Sequence, residues 1–187
     1  EGEGVGRYEL PLTGESDVEN ALLAIVGARH FGVSPTEIAE RLALLYPIDM
    51  RTELISDNPH ITLINDSYNS DVDSVRNAFR MLHNTAAHPN RHIILTDIPH
   101  QGDTQIEIHT VLLKEAIELA GSDRVRTIGP IFQALGHRLS YSNTQSLIAD
   151  FRYEDFVDSV VLLKGARQFE LEQLIPLFNQ QQNATWL

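Results

Sequence analysis

The chain has 187 residues, 42% hydrophobic and 21% charged, with a formal net charge of −12 and no cysteine. That suits one good-sized domain, or one domain plus part of another, and is too apolar for a disordered chain. It excludes a basic stripe for nucleic acid, a polybasic membrane anchor, disulfides, thiolate metal sites and cysteine nucleophiles.

No apolar run reaches the roughly 20 residues needed to span a bilayer, and residues 1–7 lack the apolar core of a signal peptide. A cytoplasmic protein is expected, with neither nucleic acid nor membrane as partner. Both ends read as cut. The start lacks Met, and the polar run Gln180-Gln181-Gln182-Asn183 reads as a linker, with residues 181–187 leading into something further.

Residues 5–12 have strand character, with Tyr8, Leu10 and Leu12 on one face. Asp17 is placed to cap a helix running to about residue 29. Its apolar face holds Ala21, Leu22, Ile25, Val26 and Ala28, and Gly32 ends it. Ser34-Pro35-Thr36-Glu37 opens a second helix, to about residue 45, with Ser34 as N-cap, Pro35 at the first position and Glu37 closing a capping box. Beyond Pro47 the texture changes, which puts a domain boundary at residues 46–49. Strands are expected at 52–56, 61–65, 92–96, 125–128 and 159–163. Helices are expected at 72–82, 104–119, 131–138 and 168–180, with a weaker element at 144–151. Continuously apolar strands interleaved with helices predict a mostly parallel sheet covered on both faces and joined by right-handed crossovers.

In such sheets ligands sit at the carboxyl ends of the strands. Three loops qualify. The first is Asn65-Asp66-Ser67-Tyr68-Asn69-Ser70. Asp66 can accept from ribose hydroxyls, and the helix that follows can offer free N–H groups to a phosphate. Equally, Asp66 and Asn69 can organise a turn while Asp71 or Asp73 caps that helix. The second loop, Asp97-Ile98-Pro99-His100-Gln101-Gly102, brings a histidine that is either titratable in a site or merely solvated. The third, Lys164-Gly165-Ala166-Arg167, puts two cations at a strand end, split by small residues that permit close approach of an anion. Gly2, Gly4 and Gly6 precede a strand rather than a helix, so they do not form a phosphate cradle. His83, His88 and His92 match no metal-ligand spacing.

Taken together the loops resemble the C-terminal domain of the Mur ligases, and within that family the type that adds D-alanyl-D-alanine to UDP-N-acetylmuramoyl-tripeptide. The family's Gly-Arg-x-Glu-like segment stands here as Met50-Arg51-Thr52-Glu53. Its Asp-Ser-Tyr-Asn-Ala-Asn-like loop stands as Asp66-Ser67-Tyr68-Asn69-Ser70-Asp71. Its Gly-Asp-Met-x-x-Leu-Gly loop stands as Thr96-Asp97-Ile98-Pro99-His100-Gln101-Gly102, followed by His109, and its Lys-Gly-Ser-Arg as Lys164-Gly165-Ala166-Arg167. Residues 17–22 resemble the end of the central ATPase domain. The chain departs from the family at Ser16-Asp17, where the family has His-Asn, at Asp71, usually asparagine, and at Ala166, usually serine.

The resemblance implies a Rossmann-like, mostly parallel α/β sheet with helices on both faces, preceded by a helical remnant of the central ATPase domain. Residues 1–48 would be that remnant and residues 49–180 the C-terminal domain. It implies an ATP- and Mg²⁺-dependent amide ligase whose own central and N-terminal domains are the partners, with UDP-N-acetylmuramoyl-tripeptide and D-alanyl-D-alanine as substrates. Asn20, Arg51, Asp66, Tyr68, Asn69 and Ser70 would meet the nucleotide. Asp97, His100, Lys164 and Arg167 would meet the incoming substrate. No G-x-x-x-x-G-K-[ST] motif occurs, so this stretch alone is not expected to catalyse. The last residues resemble the entry to an alanine racemase, found fused to this ligase in some bacteria. Such a domain would carry its own PLP. Within the family the alternative is another Mur ligase or a folylpolyglutamate-synthase relative, against which Tyr68-Asn69 after Asp66-Ser67 favours the D-alanyl-D-alanine-adding type. Two rivals lie outside it. A dehydrogenase-type cofactor module requires a glycine-rich turn, which residues 65–70 lack. A docking module with inert loops would show no response to nucleotide.

Overall fold

The computed structural model describes residues 7–12, 15–46 and 50–179. The chain divides into two compact units, Glu1–Ile48 and Asp49–Leu187. The strand expected over residues 5–12 does not form across 7–12, and residues 5 and 6 lie outside the described residues. Unit 1 holds helices α1 (Glu15–His30) and α2 (Pro35–Leu42). Because α1 starts at Glu15, Asp17 sits within its first turn rather than capping it. Gly32 does end α1: at φ +82° it lets Val33 N–H reach back to the Ala28 carbonyl (3.0 Å). Ser34 Oγ accepts from Glu37 N–H (3.2 Å), which is the N-cap half of the expected box. Ile38 and Leu42 bury against α1, yet part of the apolar face of α1 stays exposed: Leu22 is 56% and Val26 67% accessible. An apolar groove of about 530 Å³ runs between the two helices, lined by Ala21, Ile25, Ile38 and Leu42 among others.

Unit 2 is a six-stranded α/β sheet. Its strands are β1 (Glu53–Asn58), β2 (Ile61–Asp66), β3 (Asn90–Thr96), β4 (Val125–Ile128), β5 (Ser140–Tyr141) and β6 (Ser159–Lys164). The order across the sheet is β1-β2-β6-β3-β4-β5, with only β1 antiparallel to its neighbour. The last strand in sequence therefore sits in the middle. Helices α3 (Val72–Asn84), α4 (Gln105–Ala120) and α5 (Pro130–Ala134) cover one face, where Val75, Leu112 and Phe132 meet Ile64, Ile93, Val160 and Leu162. The other face packs Leu63, Ile94, Val161 and Leu163 under α6 (Thr144–Ala149), 3-10 turns at Tyr153–Phe156 and Leu171–Leu174, and α7 (Ile175–Phe178). Alternate residues of β6 thus feed two cores, which is why its sequence reads as an unbroken apolar run.

In unit 2 three elements differ from expectation, and in unit 1 α2 stops at Leu42 rather than near residue 45. The helix expected over 131–138 stops at Ala134, because Gly136 takes φ +75°. The long helix expected over 168–180 is broken by Glu170 at φ +51° and reset by Pro176 at the start of α7, and residue 180 lies outside the described residues. The two-residue β5 is too short to leave a pattern. Among the described residues, no helix is long and apolar enough to cross a membrane.

Candidate functional site

The site is built where β2 and β6 end side by side. Parallel pairing sets Asp66 opposite Lys164. Lys164 Nζ lies 2.8 Å from Asp66 Oδ2, with the two side chains 1% and 15% exposed, and it also donates to the Asn69 carbonyl (2.7 Å). A buried ammonium is tolerable only when paired and hydrogen-bonded in this way. The second carboxylate oxygen, Asp66 Oδ1, accepts from Thr52 N–H (3.1 Å). Thr52 and Met50 both hold positive φ, +52° and +63°, so the turn before β1 is strained. Glu53 braces it: Oε2 accepts from Met50 N–H (3.3 Å) and from Asn65 Nδ2 (3.0 Å). Tyr68 is clamped through its backbone, donating to the Met50 carbonyl (3.1 Å) and accepting from Arg167 N–H (3.2 Å).

This clamp brings two exposed guanidiniums to one ring. Arg51 Cζ lies 4.8 Å and Arg167 Cζ 5.7 Å from the Tyr68 centroid. Arg167 Nη1 also contacts Met50 Sδ (3.3 Å). Among the described residues, no carboxylate pairs with either guanidinium. In a chain of net charge −12, two neighbouring unneutralised cations beside a carboxylate make a place for an anion. Beside them Ser70 is buried, and its Oγ has no hydrogen-bond partner. The helix N-terminus itself is not such a place. Asp71 caps α3, its Oδ1 accepting from Ser74 N–H (2.9 Å) while Ser74 Oγ accepts from Asp71 N–H (3.0 Å). This helix end is therefore capped by the chain's own carboxylate, which would repel a phosphate.

The second loop contributes differently from expectation. Asp97 points inward and accepts from Ile131 N–H (2.8 Å) and Phe132 N–H (3.0 Å), capping α5. In this structure its carboxylate is thus engaged by the framework. His109 is fully buried against Phe132, and its Nε2 accepts from Ile98 N–H (2.9 Å), fixing the chain beyond Asp97. His100 is exposed at the loop tip with φ +65°. In the third loop, a Cβ on Gly165 would come within 2.5 Å of Thr96 Cγ2. The glycine serves the packing of β6 on β3 rather than ligand approach. Asn20 is exposed on α1 in unit 1, apart from the unit that carries the other nine expected site residues. Met50, Thr52 and Glu53 were not expected as site residues. Glu53 was legible as part of the Arg-x-Glu segment, whereas the backbone of Met50 and Thr52 left no sequence signal. The described residues contain no group of three metal-ligating side chains close enough to hold an ion.

No family model matches the chain. The UDP-N-acetylmuramoyl-tripeptide--D-alanyl-D-alanine ligase of Bacillus subtilis is 27% identical over 182 residues, covering 90% of this chain and 39% of that protein. The crystal structure of MurF from Acinetobacter baumannii superposes with a TM-score of 0.74 at 25% identity, over 93% of this chain and 39% of the other. Over nine-tenths of its length the chain is thus similar to Mur ligases. MurF of Thermotoga maritima, solved in complex with ADP, shares the fold with a TM-score of 0.64 at 16% identity, over 90% of this chain and 39% of that one. The chain spans about 40% of the length of the Mur ligases it matches. Its six-stranded unit has the α/β fold of their C-terminal domain.

Proposed function

We propose that this chain is the nucleotide-closing part of an ATP-dependent ligase that joins D-alanyl-D-alanine to UDP-N-acetylmuramoyl-tripeptide in peptidoglycan synthesis in the cytoplasm. In this reading residues 1–48 end the central ATPase domain and residues 49–180 form the C-terminal domain. The observation that carries it is the pair of exposed, unneutralised guanidiniums of Arg51 and Arg167 on Tyr68, beside Asp66 at the ends of β2 and β6. Arg51 meets phosphate, Asp66 the ribose, and Tyr68, Asn69 and Ser70 line the nucleotide. Arg167 and His100 face the incoming dipeptide. The apolar surface left exposed on α1 supports packing of unit 1 against the rest of the ATPase domain.

ATP supplies the phosphoryl group that makes the acceptor carboxylate an acyl-phosphate. The amine of the dipeptide attacks its carbonyl, forming the amide and releasing phosphate. Fixed cations near the transferring group stabilise the charge that develops. The P-loop and the Mg²⁺ ligands belong to the domains that complete the ligase, because no P-loop motif occurs here. The chain alone is therefore catalytically incompetent. A racemase domain with its own PLP completes the reading, on the strength of residues 180–187 alone, which lie outside the described residues.

In the ligase containing this chain, Arg51→Ala and Asp66→Ala are each expected to raise the ATP KM on the order of ten- to a hundredfold, since charge-assisted hydrogen bonds contribute about 1.5–3 kcal/mol. Steady-state kinetics with ATP varied at saturating peptide substrates checks this. Unchanged ATP KM in both variants removes the assignment.

A further inference from the structure

We infer that Lys164 is a positioning residue that sets the Asp66–Asn69 loop for the nucleotide and does not contact the incoming amino substrate. The inference rests on the nucleotide reading of that loop. The ammonium is 1% exposed, and two of its three N–H groups are committed, one to Asp66 Oδ2 at 2.8 Å and one to the Asn69 carbonyl at 2.7 Å. These two acceptors bracket the loop. Asp66 ends β2, and Asn69 leads into the buried Ser70 and the cap of α3. Lys164 therefore fixes the loop at both its beginning and its end.

The carboxylate is held from both sides. Lys164 takes one oxygen and Thr52 N–H the other, so Asp66 has a single orientation before any ligand arrives. Lone pairs left on both oxygens remain able to accept hydroxyl groups. A substrate carboxylate that reached the ammonium would have to displace Asp66, leaving a nearly buried carboxylate unpaired. Breaking a buried ion pair in this way is strongly unfavourable. Arg167, three residues on, has the opposite character: exposed, on Tyr68, and without a carboxylate partner among the described residues. Of the two cations in Lys164-Gly165-Ala166-Arg167, only Arg167 is presented to a ligand.

The test has two arms. In the 187-residue chain, nitrogen-15 NMR of the lysine ammonium groups is expected to show one slowly exchanging Nζ resonance that is absent in Lys164→Met and shifted or lost in Asp66→Asn. A rapidly exchanging Lys164 ammonium in the folded wild-type chain overturns the inference. In the ligase containing this chain, Lys164→Met is expected to raise the ATP KM at least tenfold and leave the KM for D-alanyl-D-alanine within twofold. The reverse split, or no change in either constant, overturns it. Where Lys164→Met does not fold, the wild-type ammonium resonance decides alone. Should Arg51→Ala leave the ATP KM unmoved while the slow resonance is present, the nucleotide reading fails and the strut itself stands.

Discussion

Gly129→Ala is expected to destabilise the chain by at least about 3 kcal/mol, because three penalties fall on one atom. Gly129 holds φ +126° and ψ 161°, a region essentially closed to residues with a Cβ. The added methyl would sit 2.3 Å from Asp97 Cγ, far inside van der Waals contact. Asp97 cannot retreat without releasing the Ile131 and Phe132 amides that it caps. Losing that cap leaves one buried and one partly buried donor without a partner. Urea unfolding of wild type, Gly129→Ala, Asp97→Ala and the double variant checks the argument. The double variant should lose less than the two single losses combined, by more than about 1 kcal/mol, since the methyl no longer meets a carboxylate. A cost below about 1 kcal/mol for Gly129→Ala would show that the close approach of the two loops is not as described.

The second large effect is a loss of stability in mild acid that traces to one histidine. His92 on β3 is 4% exposed, packs 4.9 Å from the Phe156 ring, and has a buried Nδ1 without a hydrogen-bond partner. Burial foremost, then the Arg126 and Arg124 charges, push its pKa from 6.5 down to about 4, against a small opposing pull from Asp123. Arg126 is itself buried, stacked 4.4 Å over Phe156 and bonded to Asp155 (2.6 Å). Since the folded pKa lies below the unfolded one, the unfolded chain binds the proton more readily. The full contribution is present above about pH 6.5 and is lost as pH falls from there to about 4, amounting to about 3 kcal/mol. His92→Leu should flatten this limb. Urea midpoints of wild type and variant, measured from pH 7.5 to pH 4, should diverge in that window. Parallel curves would falsify the assignment.

How far the sequence spoke for the structure depended on the range of each interaction. β6 was legible because a strand buried on both faces must be continuously apolar, and the Val160–Leu163 run feeds both cores. α3 and α4 were legible from their periodicity. The final segment was not, because Glu170 adopts a left-handed backbone that nothing in its residue type announces. The site divided the same way. Its loops could be located from the strand ends, and Arg51, Asp66, Tyr68 and Arg167 do meet. What each group does there was hidden. Whether Lys164 faces a ligand or Asp66 depends on a register between strands far apart in sequence. Whether Asp97 faces out or caps α5 depends on the room left by Gly129.

The placement of β6 between β2 and β3 has a consequence for how the domain comes into being. A nascent chain that has emerged only as far as β5 lacks the strand that pairs with both β2 and β3, so each keeps an unsatisfied edge. Neither can close on the other without excluding the strand still to come. The sheet is completed when the Ser159–Lys164 segment inserts, and the same event delivers the ammonium that pins the Asp66 loop. Formation of the binding site is thereby tied to the latest long-range pairing in the sheet, a slow step by its loop-closure entropy. A product truncated before Ser159 would carry every residue of the first two loops and no site.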